Sequence, residues 1–390
     1  MYRLPVGAVM SMLMRGLAIP NLVRIVVLHG LLLTSTTEAH HSAAVFDTEK
    51  EIELRGVVVD FKLRSPHSSF VVDARVFSKD GAPLDDHVVR WEVESESVPV
   101  LRSYGIDAGT FETGDPITLR VAPHRDSTFR FAHSLAIVDA FGVEYVMANS
   151  NRLFSPSLRN AAGVTQKPLD APVPVDGIAR LRGKWQQPLT RFAADGPGLP
   201  LNDAGWSAAR SYDRKQSPAN SCEPINVPDL FFSAFFLFEI RIERSAILHN
   251  EYYDVVRTVP LSGRPAPADD GGRFGNVLGR IDGATLIVES RDFRASRWGL
   301  GVEEAHGADI PSSERKTLTE RFTAAADGRT LVYEYTLEDP VYMTAPKSGR
   351  IELTRVPDDT PFYPFDCDRE SAAMWSRQRG DAQLRVEPAH

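Results

Sequence analysis

From Lys50 to Phe61 charged and apolar residues alternate, as in Glu51-Ile52-Glu53-Leu54-Arg55, and the run ends in Val57-Val58-Val59. A period of two with β-branched side chains is the pattern of a strand whose faces meet different surroundings. The pattern returns at 69–77, 88–94, 117–121, 134–139 and 143–147. Ser65-Pro66, Asp80-Gly81, Gly114-Asp115-Pro116 and Phe141-Gly142 separate these runs, and each carries the chemistry of a turn. Residues 97–104 read as one short helix closed by Gly105. Short strands with one helix in this length predict a small antiparallel barrel.

From Asn151 to Pro228 the periodicity fades and Pro, Gly, Asn and Asp accumulate, with Ala171-Pro172-Val173-Pro174-Val175 the clearest linker. Strand patterns resume at 235–243, 245–253, 254–260, 285–290, 318–324, 330–337 and 349–355. Asp269-Asp270-Gly271-Gly272, Asp282-Gly283 and Asp327-Gly328 read as hairpin turns between them. The expected architecture is all-β: two antiparallel β-barrel-like domains over 40–150 and 181–373, a Pro-rich linker over 151–180, and a polar tail over 374–390.

The first forty residues differ in kind. The apolar run 25–33 follows Arg15 and Arg24 and gives way to Thr37-Glu38-Ala39, with small residues at the −3 and −1 positions of a cleavage site. That is the layout of a secretory signal peptide, here residues 1–39, cleaved after Ala39 to leave His40 as the mature N-terminus. Beyond it no apolar run reaches membrane-spanning length, so a soluble periplasmic or secreted product is expected. A net charge of −8 argues against nucleic acid as a partner, because phosphate binding needs a basic face. In an oxidising compartment the two cysteines, Cys222 and Cys367, read most simply as a disulfide, with two free thiols or a metal pair as the alternatives.

Residues 40–148 carry His40-His41-Ser42, Phe46-Asp47, Leu54-Arg55-Gly56-Val57-Val58, Ser65-Pro66-His67, Trp91-Glu92-Val93-Glu94, Gly114-Asp115 and Pro123-His124. This series resembles an exported bacterial domain of unknown function, number 6152, and implies a small OB-like barrel with no assigned activity. The second block is similar to an uncharacterised exported β protein of proteobacteria and acidobacteria. The matching residues include Cys222-Glu223-Pro224, Ser262-Gly263-Arg264-Pro265, Gly279-Arg280-Ile281-Asp282-Gly283 and Thr319-Glu320-Arg321-Phe322. Its Gly183-Lys184-Trp185 resembles the Gly-x-Trp that opens lipocalin-like barrels. Ala266, Asn276 and Ile281 stand where those relatives carry two histidines and a tryptophan, which puts histidine chemistry of that kind in doubt here.

Three groups of residues carry candidate chemistry. A terminal His40 offers its α-amine and ring as a chelate, and His41 adds an imidazole; with His67 and His124 brought close by barrel closure, the set suits Cu(II). The bland alternative is solvated end and turn residues. Phe235, Phe236 and Phe238 form an aromatic cluster suited to a small apolar ligand, with Glu239, Glu320 and Arg321 as polar groups and Trp298 as a lid or a surface anchor. The alternative there is a filled core. Glu239, Glu289, Glu320 and Asp339 are also candidate carboxylate bases for a hydrolase or isomerase, although outward, solvated positions are the default on a barrel strand. No phosphate loop, zinc-spaced cysteine set or nucleophile elbow is present. The resulting expectation is an exported, non-catalytic binder of a small apolar molecule, with copper binding at the N-terminus as the second reading.

Overall fold

The computed structural model describes residues 46–47, 49–147, 173–174, 176–186, 198–231, 236–269, 271–303 and 308–373. The leader, His40, His41 and Phe235 lie outside these residues, as does the polar tail from 374 onwards.

Six strands build the first sheet: β1 (Ile52–Lys62), β2 (Ser69–Ser78), β3 (Pro83–Glu94), β4 (Pro116–Pro123), β5 (Phe131–Val138) and β6 (Glu144–Val146). Their order is β3-β2-β1-β4-β5-β6, with a further pairing of β3 to β5. That pairing is parallel, Glu92 to Phe131 through Glu94 to His133, while every other pair in the sheet is antiparallel. It closes five strands into a Greek-key barrel, and the short helix α1 (Val98–Ser103) fills the β3–β4 connection. The OB-like expectation is met. Alternation along β1 and β4 turns Ile52, Leu54, Val58, Ile117, Leu119 and Val121 inward onto Phe70, Val72, Trp91 and Leu101 of β2, β3 and α1. Gly105 follows α1 at φ +83°, which glycine reaches without steric cost.

The second sheet has ten strands in the order β10-β9-β8-β7-β18-β17-β16-β13-β12-β11. In chain order they are β7 (Gly183–Gln186), β8 (Leu237–Ile242), β9 (Ser245–Asn250), β10 (Val255–Pro260), β11 (Ala266–Pro267), β12 (Asn276–Asp282), β13 (Thr285–Arg291), β16 (Thr317–Ala324), β17 (Thr330–Glu338) and β18 (Lys347–Val356). All their pairings are antiparallel. The two ends curl toward each other: the Thr258 N–H donates to Ala268 O at 3.0 Å, and Val259 packs where a side chain on Gly279 would stand. A separate hairpin, β14 (Ser296–Glu303) with β15 (Ala308–Ser312), sits beside helix α2 (Asp203–Arg210).

The Gly-x-Trp motif has a physical role. Arg355 of β18 lies over the Trp185 ring at 4.1 Å and donates to Gly328 O and Arg182 O at 2.6 and 2.7 Å. A Cβ at Gly183 would stand on that guanidinium, so the glycine makes room for the cation.

The sequence pattern misses α2, β7, β11, β12, β14 and β15. Helix α2 has Asn202 as N-cap, its side chain accepting from the Ala204 and Gly205 N–H groups at 3.0 Å each. Only Gly205 and Ala209 of the helix are buried, so its apolar stripe is too small to register as a period. The expected bridge between Cys222 and Cys367 is present, joining residues 145 apart in sequence. Both barrels belong to one packed unit.

Candidate functional site

The closing seam of the first barrel brings three titratable side chains together. The parallel register places Glu94 beside His133, and the antiparallel β2–β3 register pairs Glu94 with Ser69, two residues beyond His67. Glu94 Oε1 lies 3.2 Å from His133 Nδ1 and 3.4 Å from His67 Nδ1. The carboxylate and His133 are buried, and the His67 side chain keeps 25% of its exposure. A carboxylate only accepts, so each neutral ring meets it with Nδ1–H, which makes Nε2 the basic nitrogen of both. A carboxylate behind an imidazole is the arrangement that orients histidines toward a metal ion. Phe46 backs the site, with its ring 5.4 Å from that of His133 and 5.3 Å from that of Phe131. Sequence reasoning named His67 but neither Glu94 nor His133 as site residues. A parallel strand pair between β3 and β5 leaves no local signal.

His124 sits differently. Its Nδ1 lies 3.0 Å from the Asp126 N and 3.2 Å from the Asp126 O, so the Asp126 backbone holds that nitrogen whether Nδ1 or Nε2 carries the proton. Its Nε2 is buried without a hydrogen-bond partner among the described residues, and Phe129 packs on the ring at 4.7 Å. Among the described residues no group of three or more His, Cys, Asp or Glu is arranged to hold a metal ion.

In the second barrel the aromatic cluster divides. Phe238 packs on Phe231 at 4.8 Å and Phe322 at 5.5 Å, and Phe231 stacks on Tyr333 at 4.2 Å, so these rings fill the interior with one another. Phe236 is half-buried at one end, stacked on Tyr252 at 4.6 Å and packed against Phe365 at 5.8 Å. Glu239 and Arg321 do not join the interior. Strand alternation turns Phe238 and Glu320 in and their neighbours out; Glu239 pairs with Arg241 at 3.3 Å and Arg321 is exposed. The grouping of Phe238, Glu239, Glu320 and Arg321 around one ligand is corrected accordingly. Trp298 is neither lid nor surface anchor, because it is buried.

Glu320 is fully buried, and both its oxygens are engaged. Arg257, from a strand that is not its neighbour, donates to Oε2 at 2.7 Å and to Oε1 at 3.0 Å, and the Tyr333 hydroxyl donates to Oε1 at 3.0 Å. So bonded, it is not placed to act as a base. Of the other candidate carboxylates, Glu289 is exposed beside Arg291, and Asp339 caps a turn by accepting from Ser313 and Val341. Two buried groups escaped sequence reasoning. The Lys316 ammonium donates to Val227 O at 2.9 Å and Gly299 O at 2.5 Å above the Phe293 ring, and burial pushes its pKa down to about 7. Burial pushes Glu251 up to about 7, although its carboxyl accepts the Leu237 and Tyr363 N–H groups.

Fold and site together define an all-β protein of two barrels with a carboxylate-bridged histidine pair on the smaller one. Residues 31–131 match the model of a family of unknown function, DUF6152, a stretch that takes in His40, His41, His67, Glu94 and His124 and ends at the first residue of β5. A crystal structure of a protein of unknown function from the DUF3598 family of Nostoc punctiforme is similar over 81% of this chain and 100% of that one, with 10% identity and a TM-score of 0.22. That likeness is too slight to carry a fold or a function. No curated protein matches the chain. Among the described residues no helix is long and apolar enough to cross a membrane.

Proposed function

We propose that the chain is exported, trimmed after Ala39, and binds a transition-metal ion, Cu(II) by preference, without catalysing a reaction. The ligands are the amino terminus and ring of His40, the ring of His41, and Nε2 of His67 and His133. The single observation that carries this reading is Glu94 Oε1 beside the Nδ1 atoms of both His67 and His133. Phe46 packs on His133, and the five residue steps from His41 to Phe46 span at most about 17 Å when extended, so the terminal histidines are tethered within reach. The disulfide supports an oxidising compartment. His124 stays outside the set because its Nδ1 is held by the backbone of Asp126 and not by a carboxylate.

Copper titration of the processed protein tests this, against a form with one extra residue before His40 and against Glu94→Gln. The extra residue removes the terminal chelate, and the amide loses the carboxylate's grip on the Nδ1 protons. Each change is expected to weaken binding about 10–100-fold. Equal affinity in all three proteins would remove the reading. Affinity should also fall below about pH 6, where protons compete for the imidazoles.

A second reading rests on Phe236. Half-buried with Tyr252 and Phe365 at one end of the larger barrel, it offers an aromatic mouth for a small apolar molecule. Native mass spectrometry of freshly purified protein checks this, with a retained lipid-like adduct as the expected result. An adduct-free spectrum would leave that end as packing alone.

A further inference from the structure

The loop that carries His67 is held from the second barrel. Arg64 Nη1 reaches Asp368 Oδ1 at 3.2 Å and Glu370 Oε2 at 3.3 Å. Ser65 forms a bridge with Cys367, the Asp368 N–H donates to Ser65 O at 2.7 Å, and the Ser371 hydroxyl donates to His67 O at 2.7 Å. The segment that makes these contacts is fixed covalently at Cys367 to Cys222. Cys222 in turn ends the turn Pro218–Ser221, whose preceding Ser217 donates to Asp309 at 2.6 Å in β15. An unbroken path of bonds therefore runs from the β14–β15 hairpin through the disulfide to the carbonyl of His67. Both cysteines are half-buried.

We propose that the Cys222–Cys367 bridge is a thiol-responsive latch that holds His67 against Glu94 and so sets the strength of the imidazole site. Its effect on an ion rests on the metal reading above, while its mechanical part stands without it. A dithiol opens the latch by exchange. One thiolate of the dithiol attacks a bridge sulfur, forming a mixed disulfide as the S–S bond breaks and the other cysteine leaves as a thiolate; the dithiol's second thiolate then attacks its own first sulfur and expels the remaining cysteine. The protein takes up two electrons and two protons as two thiols, and the dithiol becomes a disulfide. With the covalent end gone, the segment is held by the Arg64 ion pairs with their exposed carboxylates, by the bonds of buried Ser65 and Ser371, and by Phe365, all of them non-covalent contacts that open more readily than a cross-linked segment.

Hydrogen exchange on the whole processed chain reads the mechanical part. Oxidised protein is compared with the same protein reduced by dithiothreitol and with the Cys222→Ser/Cys367→Ser variant. Amides of residues 64–71 and 367–373 are expected to exchange about 10-fold faster without the bridge, with β17 and β18 unchanged. Dithiothreitol acting on already folded protein keeps the test valid if the serine variant fails to fold. Copper titration of the oxidised protein and of the serine variant, free of reductant, reads the consequence, with about 10-fold weaker binding expected. Unchanged exchange would overturn the latch and leave Phe365, packed on Tyr253 at 4.6 Å, as the anchor of the segment. Faster exchange with equal copper affinity would overturn the control of the site. Faster exchange with no copper bound by either form would sink the metal reading and leave the mechanical latch standing.

Discussion

Three buried charged groups in this chain show how much of a residue's chemistry is decided by its surroundings. Glu320 keeps its charge company with a bidentate arginine and a tyrosine hydroxyl, Lys316 has two backbone carbonyls, and Glu251 has two backbone N–H groups. The last two give opposite pH dependences. Glu251, with Lys184 and Asp254 as its charged neighbours, titrates near 7 in the folded chain against an ordinary value of 4.5. Between those values the folded chain holds a proton that the unfolded chain has released, so stability falls as pH rises. Lys316, facing Asp229, Glu320, Asp339 and Arg257, titrates near 7 against an ordinary 10.5. Between those values the unfolded chain holds the extra proton, so stability rises with pH. Together they contribute a shallow trough near neutrality. Urea midpoints measured at about pH 5, 7 and 9 should show Glu251→Gln flattening the acid limb and Lys316→Met the alkaline limb. Wild-type slopes retained in both variants would contradict the assignment.

At the scale of elements, strands with one buried face were legible because alternation is a local property. The patterns at 50–61, 69–77, 318–324 and 330–337 correspond to β1, β2, β16 and β17 within a residue or two. Helix α2 was not legible, since two small buried residues do not make a stripe. Gly56 shows the limit of pattern from another side. It sits within the β1 alternation as an ordinary glycine, yet a Cβ there would stand 2.0 Å from Asp73 O and 2.6 Å from Ala74 Cα in β2. The two strands approach so closely only because the side chain is missing. Gly56→Ala should force the pair apart and cost about 1–3 kcal/mol in urea unfolding, as overpacking does. A loss below about 0.5 kcal/mol, the level of a neutral surface change, would show that the strands can shift at little cost.

For the whole molecule, the two barrels meet near the imidazole site through hydrogen bonds and ion pairs made by residues 368–371, a segment that the Cys222–Cys367 bond ties to the second barrel. Closing a loop between cysteines 145 residues apart removes unfolded-state freedom worth up to about 5 kcal/mol on the chain-entropy account. The Cys222→Ser/Cys367→Ser variant should therefore lose several kcal/mol of that figure in equilibrium unfolding by urea, a larger effect than that of any single surface residue. The same bond reaches the loop of His67, so stability and site geometry are coupled through it. The larger barrel has its own long-range tie, the Arg257–Glu320 pair across its interior. Removing one partner there leaves the other charge buried and alone, which is costlier than never having had the pair.

The sequence by itself determined most of the strand runs, the turns between them and the all-β class, and it made a bridge between the two cysteines the simplest reading, which the structure bears out. Each follows from local periodicity, from the steric demands of Gly and Pro, or from simple counting. Which side chains meet was decided by tertiary structure alone. Glu94 comes between His67 and His133 because β3 and β5 pair in parallel far along the chain, and Glu320 finds Arg257 rather than Arg321 because neighbours on a strand face opposite ways. Contacts of that kind depend on how a barrel closes, and closure is a property of the assembled sheet that no single stretch of residues contains.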